Sequence, residues 1–145
     1  MSDSLPRWGR SLEEERIPVD TVALAAEWIR EEQFLRLHPG YSRPDDWEWD
    51  TPQDVLFSLT HDHPEIAWEV ICELAATAPE DLLAVVGVGP VETFLHRNAE
   101  TFIDRIESRA REDSRFRACL YKASPAFAGP VLNRLANAVG LEFPK

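Results

Sequence analysis

The feature that most constrains this chain is a weak self-similarity at an offset of 35 residues: Pro64–Leu83 aligns with Ala99–Ala118. Glu65 meets Glu100, Trp68 meets Ile103, Glu69 meets Asp104, Ile71 meets Ile106 and Ala75 meets Ala110. Gly89-Pro90 and Ser124-Pro125 repeat the same punctuation. Periods of about 20–50 residues belong to stacked supersecondary units, each too small to bury its apolar face alone. Such arrays offer surfaces more often than reaction centres.

The apolar spacing says what the units are made of. Asp20 or Thr21 offers an N-cap for a first helix of about sixteen residues, with Val22, Leu24, Ala25, Trp28, Ile29 and Leu35 at helical spacing and Glu27 and Glu31 on the other side. Pro39-Gly40 stops it. Thr51-Pro52 places an N-cap before a proline at the first helical position, opening a short helix over Gln53–Thr60. Pro64 starts the next, in which Ile66, Ala67, Val70, Ile71, Leu74 and Ala75 make a broad apolar face. Pro79-Glu80-Asp81 begins a short helix that Gly87–Gly89 is expected to break, and Pro90 begins another. From Ala99 a further stripe runs through Phe102, Ile103, Ile106 and Ala110, with Glu107 and Arg111 paired across one turn. Ser114 is expected to cap a helix through Phe116 and Leu120, and a last helix covers Pro130–Val139. No run reads as a strand. The expected class is all-α, either an irregular helical bundle or a short HEAT/armadillo-like stack of about seven helices.

The 145 residues fit an N-terminal arm over 1–19 and one helical domain over 20–145. Nothing at the start resembles a leader, and no run reaches the length of a membrane span, so a cytoplasmic protein is the simplest expectation. The net charge of −11 argues against nucleic acid and anionic membranes as partners, because both need Lys and Arg to replace counterions. A basic protein is the natural counterpart of such a surface.

The segment Pro64–Tyr121 resembles an uncharacterised family of small bacterial all-helical proteins. The resemblance rests on the AWE of Ala67–Glu69, the GPVE of Gly89–Glu92 and the FIDRIE of Phe102–Glu107. Arg111, Phe116, Arg117 and Leu120 continue it, and the EWI of Glu27–Ile29 matches its first helix. The arm and the acidic tryptophan loop fall outside this resemblance, which implies no activity and no functional residues.

Candidate chemistry is sparse. His61-Asp62-His63, with Asp54 upstream and His96 distant, is the one cluster with metal-ligand character, but zinc needs three or four converging side chains. A turn with capping by Asp62 or His63 accounts for it better. Glu92 and His96 are four apart on one helix, without a nucleophile or oxyanion hole nearby. Gly87–Gly89 before a helix lacks the lysine of a phosphate-binding loop. Cys72 and Cys119 lie on apolar stripes and read as core. No cofactor, no metal and no catalytic residue is expected.

The strongest candidate is the loop in which Trp47 and Trp49 stand among Asp45, Asp46, Glu48 and Asp50. It either seats a basic partner, the indoles anchoring and the carboxylates pairing, or folds back over the first helix as a lid. The leading expectation is a non-enzymatic protein-binding module, in its most concrete form an immunity-type protein neutralising a basic bacterial toxin. The alternatives are a metal-dependent enzyme using His61 and His63, and a structural or regulatory adaptor subunit.

Overall fold

A computed structural model describes residues 20–44, 50–123, 134–135 and 137. Among the described residues there is no strand, and five helical runs follow one another. The arm over 1–19 lies outside them.

Helix α1, Thr21–Leu37, is capped by Asp20, whose side chain accepts the Ala23 N–H at 3.0 Å. Its buried residues are Leu24, Ala25, Trp28, Glu31 and Phe34. Two expectations fail here: Val22 is 59% exposed, while Glu31, assigned to the outer side, is 3% exposed. Helix α2, Pro52–Asp62, begins with a reciprocal capping box. The Thr51 side chain accepts the Asp54 N–H, and the Asp54 carboxylate accepts the Thr51 N–H. Pro52 at the first helical position loses no bond, since that N–H would have no partner inside the helix. His63 joins α2 to α3, Pro64–Thr77, with no turn residue to spare.

The run over 80–112, termed α4, departs most from expectation. It comprises a 3-10 turn Glu80–Leu82, an α turn Leu83–Val86, a π-helical turn Gly87–Val91 and a 21-residue α-helix Glu92–Glu112. The anticipated break at Gly87–Gly89 and fresh start at Ala99 are both absent, so three expected helices are one run, and the described residues up to Lys122 hold five runs where about seven helices were expected for the chain. Pro90 has no N–H to give the preceding turn, and its ring would crowd a carbonyl four residues back. Widening the turn relieves both problems, and the Glu92 N–H reaches the Gly87 carbonyl five residues behind it. The helical run therefore passes through the proline without stopping.

Helix α5, Ser114–Lys122, is capped by Asp113, which accepts the Arg115 and Phe116 N–H groups; Ser114, the expected cap, is the first helical residue. Of the expected last helix, Arg134, Leu135 and Asn137 are described and helical, and Leu135 is fully buried.

The central element is α3, which packs against α1, α2, α4 and α5. Its buried Ala67, Val70, Ile71, Leu74 and Ala75 meet a core that includes Leu24, Leu59, Phe94, Ile106 and Phe116. Around half-buried Trp68 the rings of Phe94, Phe102 and Phe116 lie within 5.5–6.1 Å, tilted or edge-on as aromatic quadrupoles favour. Arg115 ties α5 to the end of α3: its guanidinium donates to the Ala75 carbonyl at 2.8 Å and to the Ala78 carbonyl. No helix among the described residues is long and apolar enough to cross a membrane.

Candidate functional site

Two adjoining features stand out on the side where α1, α2 and the π turn meet. The first is a buried polar cluster. Glu31, one turn past Trp28 on the core stripe of α1, points at the start of α2 and accepts the Gln53 N–H at 2.9 Å. Fully buried Thr51 also hydrogen-bonds it. Burial pushes the Glu31 carboxyl up to about 7; the Gln53 and Thr51 hydrogen bonds oppose the rise, the Asp54 charge adds to it and Arg43 pulls it back. Arg43 pairs with Asp54 at 2.8 Å, so the cap, the buried acid and the guanidinium form one unit.

The second feature is an open groove of about 220 Å³. Trp28, Leu56 and Val85 give it apolar walls, Gln53, Thr60 and Thr93 add polar groups, and Gly89 and Pro90 bring the π turn to its edge. Glu32, next to Glu31 on α1, is the charged residue in the lining. It accepts from the Gln53 side chain at 3.0 Å, which holds its carboxylate toward α2. Phe57 is 58% exposed at the rim. A Cβ on Gly89 would meet nothing within 4 Å, whereas one on Gly87 would stand 2.3 Å from the Cys119 carbonyl oxygen. Gly87 is thus required for packing against α5, and Gly89 is not.

Of the residues expected to bind a partner, Asp45, Asp46, Trp47, Glu48 and Trp49 lie outside the described residues. Asp50 is described and half-buried, immediately before the Thr51 cap. His61 belongs to the last turn of α2, with Nδ1 2.8 Å from the Phe57 carbonyl and its ring against the Phe57 ring. His63 is exposed at the α2–α3 junction. Among the described residues no three His, Cys, Asp or Glu side chains come together as a metal site. His96 is exposed on α4, and Glu92 is half-buried there. Cys119 is buried and Cys72 half-buried, both as free thiols, and burial pushes each up to about 11, which keeps them protonated at neutral pH.

Neither the Glu31 cluster nor the groove was anticipated. The signal for Glu31 was present: it stands three residues after Trp28 and four before Leu35, on the apolar stripe itself. The groove had no such signal, because it arises where three elements distant in sequence meet.

A family model matches residues 39–123, more than half of the chain. The chain belongs to DUF6869, a family of unknown function. The DUF6869 match contains the AWE, GPVE and FIDRIE segments, all of α2, α3, α4 and α5, and the acidic tryptophan loop. That loop was expected to lie outside the family segment and lies within it. Helix α1, with its EWI and Glu31, precedes the matched residues. No curated protein and no solved structure matches the chain.

Proposed function

We propose that this member of DUF6869 is a non-enzymatic protein-binding module whose partner is a basic protein. The observation that carries the reading is the charge pattern: a net charge of −11, with four carboxylates and two indoles concentrated in the six residues Asp45–Asp50. Acidic groups speed encounter with a basic partner and disfavour acidic ones, while large aromatic side chains supply anchors. The base of this segment supports the role, because Arg43 before it and Thr51 after it belong to the cluster around Glu31 and Asp54. In its most specific form the reading is an immunity-type protein of the bacterial cytoplasm that covers a basic toxin, its helices acting as a short stack that presents a surface.

The test is calorimetric titration of the purified chain against the protein encoded beside it in its genome. The expected result is a stoichiometric complex with a basic neighbour, weakening as salt rises. An acidic neighbour, or a basic one that gives no heat and no co-elution, would end the reading.

A further inference from the structure

The groove between α1, α2 and the π turn has its own chemistry. Trp28 and Leu56 form an apolar wall, and exposed Phe57 extends that wall outward at the rim. On the π turn Val88 is 52% exposed, beside Gly89. Apolar surface of this kind is suited to receiving a large aliphatic or aromatic side chain. The charge in the lining is a carboxylate, Glu32, and no lysine, arginine or histidine lines the groove among the described residues. Glu32 accepts from the Gln53 amide at 3.0 Å and forms a long ion pair with Arg36 at 3.9 Å, beyond hydrogen-bond reach, so its carboxylate keeps acceptor positions for a second cation. An anion would be repelled here; a cation carried on an apolar stem matches both the wall and the carboxylate.

We propose that this groove receives a basic amphipathic segment of the partner, with an apolar side chain against Trp28 and Leu56 and a lysine or arginine on Glu32. The inference rests on the protein-binding reading above and adds to it a second contact area, separate in sequence from Asp45–Asp50. The π turn contributes by setting Gly89, which has no side chain, where the incoming segment must pass.

The experiment is an amide NMR titration of the full chain with a short synthetic leucine–lysine amphipathic peptide, and with its leucine–glutamate counterpart. The lysine peptide is expected to move the amides of Gln53, Gly89 and Thr93, and the glutamate peptide to leave them in place. Gly89→Leu, which adds bulk where a Cβ meets open space, is expected to weaken the lysine peptide about tenfold. Glu32→Gln, which keeps the shape, is expected to weaken it about threefold to tenfold and to reduce its salt dependence. Equal shifts with both peptides, or unchanged affinity in both variants, would overturn the proposal. Lysine-peptide shifts confined to 45–50 would overturn it while leaving the acidic loop as the binding site. No shifts anywhere would count against both.

Discussion

The carboxylate of Glu31 accepts the backbone N–H of Gln53 at 2.9 Å, so an acid from the middle of α1 sits on the first turn of α2. An anion is favoured there by the unpaired N–H groups and the helix dipole, yet burial opposes its charge. The carboxyl is pushed up to about 7 as a result, which means desolvation outweighs the helix start.

That balance has a sign. An acid whose folded pKa lies above its unfolded value holds more protons in the native state over the interval between them. Its stabilising share is full below the usual carboxylate range and falls as pH rises toward 7. Thermal melts of the parent and Glu31→Gln are expected to converge or favour the parent in acid and to favour the variant increasingly as pH rises to 7. A difference between the two that does not vary with pH would show that Glu31 does not titrate in this interval.

Gly87 and Gly89 are expected to respond oppositely to alanine. At Gly87 the new Cβ would stand 2.3 Å from a backbone oxygen of α5 and 2.8 Å from the Lys122 Cβ, neither of which can yield cheaply. Gly87→Ala is expected to cost about 1–3 kcal/mol in chemical denaturation. Gly89→Ala gains helix propensity without a clash and is expected to be neutral or stabilising by up to about 1 kcal/mol. Equal effects at both positions would contradict the packing of the π turn on α5.

Much of this fold is legible residue by residue. Thr51-Pro52 declares the N-cap and first residue of α2 outright, and Phe102, Ile106 and Ala110 are buried where the stripe places them. Pro90 was misleading, because a proline after two glycines normally punctuates helices. Its N–H deficit is instead absorbed by a single wide turn, at whose start Gly87 lies so close to α5 that a Cβ would clash there. The apparent repeat misled for a related reason: Pro64 begins a helix, whereas Ala99, its counterpart, lies inside one. The groove was illegible because Trp28, Gln53 and Gly89 share no local pattern; tertiary packing alone makes them neighbours.

Ile106 is fully buried in the single apolar cluster that joins all the helical runs. Ile106→Ala is expected to cost about 2–5 kcal/mol by urea unfolding, the spread reflecting how far the surroundings collapse. A loss below about 0.5 kcal/mol would place this face of α4 at the surface.

Once a partner is in hand, Trp47→Ala is expected chiefly to raise its dissociation rate. Charge reversal at Asp45 and Asp46 is expected to lower the association rate and flatten its response to salt. Stopped-flow kinetics separates the two effects. Parental rates in both variants would remove the loop from the interface.

The central place of α3 bears on how the molecule comes apart. A helix touched by every other helical run among the described residues cannot open without releasing all of them, so its unfolding is expected to be the unfolding of that whole core. Helices α1 and α2, which border the groove, are bound to the same event, because their packing against α3 is the most extensive between any two elements described. A groove whose walls belong to the core keeps its shape for as long as the fold itself stands.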